Sequence, residues 1–502
     1  MKTKPMKHQE EGLKRMDGKR NFALFMEQGT GKTWLTLADL ERCYLAGKVD
    51  GALVIAPKGV HTNWIRREIP AHVEVQTELY CWKGRPGSNV QKKKLEEVFK
   101  PWVLTNRRRP MRVMSMNIEA LNTAPGLELA ERFLKDGKMM IVMDESTRIK
   151  NPKAQRTKKA IKVALLAIAR RILSGTPMPR APGDLFSQFE FLKKGLLGTT
   201  SYTAFVKEYT ELLDMHDPEM IAIMKNSSSK FPPQIPRKDE WGRPIYKNLD
   251  QLAKMIQPHS YRVKKEDCLD LPPKVYKAIY FEMTSAQRKI YEQLENEYSY
   301  LFTDDDMGMS EEMSFASIAA RTKMKQVTSG FINIYGEPVL LPPEDNPRFS
   351  AFKDWAGDMM ELYPDGQFIV WAMFDQELEQ LKEWLQKEGE VVGTYKGDTK
   401  DTEREQLIDD FQAGKVRWFL GNAAAGGIGI TLTAAQWTAY YSCSFDNELR
   451  LQSEDRNHRI GTKGTVTYFD FIGEGTLDED ILRNLDHKNK TAAAVIDAPR
   501  SE

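Results

Sequence analysis

Asn21-Phe-Ala-Leu-Phe-Met-Glu-Gln-Gly-Thr-Gly-Lys-Thr33 is the stretch that decides the fold. Six residues read as a buried strand, a glycine-rich turn follows, and the periodic run Leu35 to Ala46 reads as a helix. A strand feeding a helix through two glycines is the setting of a phosphate loop. Gly29 and Gly31 let the backbone turn so that amide N–H groups converge, and the helix N-terminus adds favourable potential for an anion. Lys32 supplies a positive charge to the phosphates, and the Thr33 hydroxyl suits Mg²⁺. Gln28, Gly29, Thr30, Gly31, Lys32 and Thr33 are therefore the candidate nucleotide-binding residues. Met26 stands where the full G-x-x-x-x-G-K-T pattern has glycine.

Working outward, the same alternation recurs. Ala52–Ala56, Met139–Met143, Arg171–Ser174, Phe368–Ala372, Val416–Leu420, Ala439–Ser442 and Thr465–Phe471 read as buried strands, and stretches such as Arg404–Phe411 have helical period. The pattern predicts an α/β protein with parallel sheets flanked by helices. At 502 residues, 41% of them hydrophobic, the chain can fill more than one core. The Pro-, Ser- and charge-rich stretch 225–247 and the break Asp267–Lys274 interrupt the rhythm. We expect an N-terminal lobe over 1–266 with an insertion at about 202–260, and a second lobe over 267–475 with a helical insertion at about 285–330. Ser285–Tyr300 and Phe315–Val327 read as helices of that insertion, separated by the acidic run Asp304–Asp306. A helical C-terminal segment over 476–502 completes the layout.

Composition narrows the class only a little. Lys plus Arg number 73 against 71 Asp plus Glu, so any nucleic-acid surface must be local. Cys43, Cys81, Cys268 and Cys443 are far apart with no C-x-x-C pair, which argues against zinc and a disulfide framework. The N-terminus lacks an apolar core segment and no run approaches a membrane span, so the expectation is a soluble, cytoplasmic protein of a reducing compartment.

Met139-Met-Ile-Val-Met-Asp-Glu-Ser-Thr147 is an apolar strand ending in two carboxylates. At that position in an α/β sheet Asp144 suits Mg²⁺, through water, and Glu145 suits the orientation of an attacking water. Gln452-Ser-Glu-Asp-Arg-Asn-His-Arg-Ile-Gly461 places Arg456 and Arg459 three apart, on one face if the segment is helical. They are the candidate arginine fingers.

These residues, with others in the right order, resemble the Swi/Snf-type branch of the superfamily-two helicases. Lys7-His8-Gln9 resembles its adenine-reading segment, with Gln9 in the glutamine position. Val54-Ile-Ala-Pro-Lys58 with Asn63-Trp64 and Glu68 is similar to "APxxLxxNWxxE", Asp144–Asn151 to "DEAHRLKN", and Arg171–Pro177 to "RxxLTGTP". Tyr261–Asp267 with Leu271–Lys274, Met283–Arg288 with Tyr291, Gly397-Asp-Thr399 with Arg404 and Phe411, and Ala425–Gly429 continue the series, which the Gln452 segment closes. The resemblance implies two RecA-like lobes, ATP and Mg²⁺ as cofactors, Gln452 at the nucleotide, and a DNA-stimulated ATPase that tracks along duplex DNA. Thr147 replaces the family's His, at a position that passes ATP state to Ser174-Gly-Thr176. Asn422, Ala423 and Thr431 depart from the usual second-lobe pattern. No chromatin-reading module is evident, and the compact form resembles viral or bacterial relatives.

A motor that ignores base sequence grips phosphates. The expected nucleic-acid contacts are Lys58, Asn63, Trp64, Ser115, Lys150, Thr176, Lys396 and Asn422. The basic runs Lys92–Lys94 and Arg107–Arg109 can extend the track or simply face solvent. Trp64, Trp82 and Trp102 have rings suited to base stacking, with core or surface packing the favoured reading. A strand-separating or branch-migrating helicase, a helicase-like subunit of a defence or restriction assembly, and an RNA motor are the alternatives.

Overall fold

The computed structural model describes residues 1–58, 60–84, 89–100, 109–225, 234–240, 243–298, 311–334, 337–342, 345–397, 399, 401–426, 430–444 and 446–498. The strands are β1 (Asn21–Met26), β2 (Gly51–Ala56), β3 (Thr77–Cys81), β4 (Met111–Asn117), β5 (Met139–Asp144), β6 (Ala169–Ser174), β7 (Ser260–Val263), β8 (Lys274–Phe281), β9 (Phe331–Ile334), β10 (Glu337–Leu340), β11 (Phe368–Trp371), β12 (Val392–Tyr395), β13 (Trp418–Gly421), β14 (Trp437–Tyr440) and β15 (Val466–Gly473).

Among the described residues two parallel sheets carry the fold. One has the order β3-β4-β2-β5-β6-β1-β7, the other β12-β13-β11-β14-β15-β8, and β9 and β10 form a separate antiparallel pair. The expected parallel α/β class is what the structure has. Every strand named from the sequence lies at or within a residue or two of an observed one. Strands β3, β4, β7 and β12 lacked the β-branched runs that mark a strand. In β4, Met111, Met114 and Met116 do the apolar work, while Arg112 is buried against Asp136.

Residues cluster into two compact units: 1–209, 246–269 and 491–502 form the first, 210–245 and 270–490 the second. The layout differs from the expected one in three places, each with a packing reason. The stretch 246–263 is no insertion, because helix Leu249–Ile256 sends Leu252 and Ile256 into the first core and β7 pairs with β1. Residues 210–245 instead group with the second unit, where Pro244 O meets the His487 ring at 3.2 Å. The C-terminal helix Leu477–Ile496 ends with Val495 and Ile496 in the first core, and Asp497 ion-pairs with Arg262 at 2.6 Å. Helices Ser285–Tyr298 and Glu311–Thr328 exist as expected; the acidic run between them and Arg107, Arg108 and Trp102 lie outside the described residues.

No helix of the described residues is long and apolar enough to cross a membrane. All four cysteines are free thiols.

The second unit buries Lys325 at 4% exposure, its Nζ donating to the Cys443 carbonyl. Burial pulls its pKa down to about 8, although Asp478 and Glu377 draw it upward and Arg348 downward. Between about 8 and the ordinary 10.5 the unfolded chain binds the extra proton, so this lysine makes stability rise with pH across that window. Below it the full penalty acts, about 3 kcal/mol at 1.4 kcal/mol per unit. We expect Lys325→Met to raise the urea midpoint of the second unit at pH 7. Its advantage over the wild type should shrink steadily between about pH 8 and 10.5; a constant advantage would count against this account.

Candidate functional site

The parallel register sets the C-terminal ends of β2, β5, β6, β1 and β7 side by side along one edge of the first sheet, which is where such sheets present chemistry. Phe25 is level with Ser174, Asp144 with Leu173, and Met26 with Val263. Five loops leave that edge, and the chemistry-bearing residues of this unit lie on them.

After β1, Gly29 and Gly31 have φ of 83° and 88°, the left-handed region that favours glycine. Gly31 caps the helix Lys32–Leu45, and a Cβ there would lie 2.1 Å from Gln9 Nε2. The buried Gln9 amide is thus pressed against the turn, its Oε1 accepting from Met6 N at 2.8 Å. Thr30 is fully buried, its hydroxyl on Glu27 O at 2.7 Å and its carbonyl on the His8 ring at 2.7 Å. Gln28 and Thr33 are half-buried. Lys32 Nζ folds back to donate to Met26 O at 2.8 Å. Glu27 is held from β7, accepting from Arg262 Nη2 and Lys265 N, both at 2.9 Å.

At the end of β5, Asp144 is 7% exposed, and Trp64 Nε1 donates to its Oδ2 at 2.9 Å. Glu145 N reaches Oδ1 at 3.1 Å. Burial pushes the Asp144 carboxyl up, opposed by the Trp64 hydrogen bond and the charge of Lys32. Glu145 itself stands at φ 51°, ψ 63°. A non-glycine residue in that region costs about 1–3 kcal/mol and is maintained by its surroundings, a feature that clusters at functional sites.

Thr147, the position where the family has His, is 2% exposed. Its neighbour Ser146 ties the turn after β5 to the loop after β6. Ser146 Oγ donates to Gln188 Oε1 at 2.6 Å, and Gln188 Nε2 donates to Pro177 O at 2.6 Å, all within the buried interior.

Two expected nucleic-acid contacts do not survive. Trp64 is 1% exposed with its indole N–H spent on Asp144, and Ser115 is fully buried inside β4. Neither can reach a phosphate or a base. Trp82 is buried too, and Arg109 is committed to the carbonyls of Val98 and Lys100. Lys58 is exposed, while Asn63, Lys150 and Thr176 are half-buried, all four on the segments that follow β2, β5 and β6. In the second unit Lys396 pairs with Glu379. Asn422 donates to Met373 O and accepts from Ala424 N, so its amide serves its own loop. Of the segment Ala425–Gly429, residues 427–429 lie outside the described residues.

The arginine segment departs from the helical expectation. Helix Asn447–Glu454 stops before it, and 455–461 is a series of turns. Gln452 is buried and donates to Glu448 Oε1 at 3.1 Å. Arg456 is 3% exposed, and Arg459 is half-buried with Nη1 on Thr431 Oγ1 at 3.0 Å. Both belong to the second unit. Among the described residues no cluster of His, Cys, Asp and Glu forms a metal site by itself. Magnesium nonetheless fits the donor set of the first unit, since the Asp144 carboxylate and Thr33 hydroxyl are hard oxygen ligands beside the phosphate loop.

Two helix-flanked parallel sheets, one bearing a glycine-rich loop and a strand-end Asp-Glu pair, make an α/β protein of two sheet-centred units. The SNF2-related domain model matches residues 8–336 and the helicase conserved C-terminal domain model matches 353–461, so the chain belongs to the SNF2-related family. A putative ATP-dependent helicase/translocase of Bacillus subtilis is 26% identical over 479 residues, covering 92% of this chain and 45% of that protein. A human DNA repair and recombination protein is 21% identical, covering 98% and 55%. The chain thus spans about half the length of these relatives. The Sulfolobus solfataricus SWI2/SNF2 ATPase core in complex with dsDNA is 20% identical with a TM-score of 0.39, covering 100% of this chain and 98% of that one.

Proposed function

We propose that the protein is an ATP-hydrolysing motor that translocates along duplex DNA without regard to sequence. The observation that carries this reading is the adjacency of the phosphate loop and the Asp144-Glu145 turn, close enough that the Lys32 charge acts on the Asp144 carboxylate. Backbone amides of residues 28–33 receive the phosphates, Gln9 reads the base beside Gly31, and Lys32 leaves Met26 O for the β/γ-phosphates. Thr33 and Asp144 hold Mg²⁺, which when bound neutralises phosphate charge. Glu145 orients the attacking water. Gln452, Arg456 and Arg459 are the further residues assigned to the nucleotide, the two arginines supplying positive charge to the γ-phosphate. Lys58, Asn63, Lys150 and Thr176 grip phosphates of DNA, with Lys396 and Asn422 contributing after exchange of their present partners.

The test is ATP turnover by the purified chain with and without duplex DNA, with Lys32→Ala as control. Stimulation by duplex, abolished in Lys32→Ala, is the expected result. Turnover indifferent to DNA would overturn the motor. Triplex displacement beside forked-duplex unwinding separates the finer readings: unwinding without triplex displacement would replace the translocase by a strand-separating helicase. Preference for RNA duplex as the stimulating strand pair would likewise replace DNA.

A further inference from the structure

Asp144 has one hydrogen-bond donor on each carboxylate oxygen. The Oδ1 donor, Glu145 N, belongs to its own turn, and the Oδ2 donor, Trp64 Nε1, comes from across the sheet edge. Trp64 begins the segment Trp64–Glu68, which is π-helical and lies between helical Val60–Asn63 and Ile69–His72. Single π-turns are uncommon and concentrate at functional positions. In the turn before it His61 is buried, its ring nitrogens 3.4 Å from Pro57 O and 3.1 Å from Trp82 O, and the neutral ring donates to one of the two. Exposed Lys58 and half-buried Asn63 precede, on the stretch after β2, the indole that hydrogen-bonds to Asp144. Asn63 is the chain neighbour of Trp64, so a displacement of its backbone acts on the indole that holds Asp144.

We infer that Trp64 is a positioning residue that orients Asp144 for Mg²⁺ and transmits a phosphate contact at Lys58 and Asn63 to the nucleotide site. The inference rests on the functional reading above, since it takes Asp144 as the Mg²⁺ ligand and the loop after β2 as a DNA grip. The mechanism is positional and involves no bond making. The outer partner of a metal ligand fixes that ligand's orientation, and its loss commonly lowers metal affinity about 10–100-fold. Trp64 is equally placed to make that affinity depend on what the loop touches.

The test uses the full chain and its Trp64→Phe, Trp64→Tyr, Asp144→Asn and Trp64→Phe/Asp144→Asn variants. Binding of N-methylanthraniloyl-ATP is followed by fluorescence while Mg²⁺ is titrated from an EDTA baseline, with and without a short duplex. Trp64→Phe should leave binding in EDTA unchanged, which also certifies its fold. It should raise the Mg²⁺ needed for half-saturation about 10-fold or more and erase the shift that duplex produces. Trp64→Tyr, which restores a ring O–H donor, should fall between Phe and wild type. In the Asp144→Asn background Trp64→Phe should add nothing, because an effect routed through Asp144 is lost with it. A Mg²⁺ curve for Trp64→Phe matching wild type, or full additivity with Asp144→Asn, would overturn the inference while leaving the motor intact. A wild-type protein whose nucleotide binding ignores both Mg²⁺ and duplex would overturn the motor reading beneath it.

Discussion

Glu145→Gln should retain nucleotide binding and lose turnover by about 10²–10⁴-fold, the range that a positioned general base or water-orienting carboxylate contributes. Gln preserves the shape and the backbone demands of the position, and it removes only the negative charge and its basicity. That matters because Glu145 is held in the left-handed region by the strand end before it and by the 3-10 turn Ser146–Ile149 after it, where Arg148 N bonds Glu145 O at 3.0 Å. The fixed backbone starts the side chain from a set position, and a residue that acts only on the attacking water should register its loss in kcat rather than in KM. The measurement is steady-state ATP turnover with saturating duplex, beside N-methylanthraniloyl-ATP affinity. Turnover within a few-fold of wild type would remove Glu145 from the chemistry. Binding loss in step with turnover would make its role structural.

The legible parts of this protein were those whose signal is local. The loop at Gly29–Thr33 is recognisable because two glycines at positive φ and a helix start must be adjacent in sequence to build it. The Asp144-Glu145 pair is recognisable because an apolar strand announces its own end. Trp64 was misread for the converse reason: the sequence displays an indole beside Asn63 but not the carboxylate 80 residues later that takes its N–H. Ser115 was misread because β4, built on methionines, carries no strand signature to warn that its odd and even residues are both interior. The 210–245 stretch fell to the wrong unit since a loop's composition marks it as a loop without saying which core receives it. The Ser146–Gln188–Pro177 bridge joins residues from three places in the chain, a contact that no local pattern displays. Arg456 and Arg459 show the limit of spacing as a guide, because three residues apart means one face only while the helix lasts, and it ends at Glu454.

Arg171→Met should cost the first unit about 3 kcal/mol, the lower end of the range for breaking a buried ion pair. Arg171 and Asp39 are each about 1% exposed, joined by Nε and Nη2 to the same Oδ2 at 3.0 and 2.8 Å. The remaining guanidinium donors satisfy the carbonyls of Lys19, Arg20 and Arg170. Methionine matches the length and leaves little cavity, so the cost is mainly that of a buried carboxylate and carbonyls deprived of donors. The lower end applies because Arg42 Nη2 still holds Asp39 Oδ1 at 2.7 Å. Removing both charges with Arg171→Met/Asp39→Leu should recover most of the loss, as apolar replacement of a whole buried pair is often neutral. Urea unfolding read by amide exchange in β1 and β6 isolates the first unit, since a chain of two units need not unfold in one step. With a slope of about 1–3 kcal/mol/M the midpoint should fall by roughly 1 M or more. A loss under about 1 kcal/mol for the single variant would show that water or Arg42 already carries the charge. The same pair bolts the helix that starts at Lys32 to β6, so the variant should also depend more on nucleotide for its stability. Saturating Mg²⁺ and ATP, bound only by the folded site, should return part of the midpoint in proportion to the logarithm of their concentration.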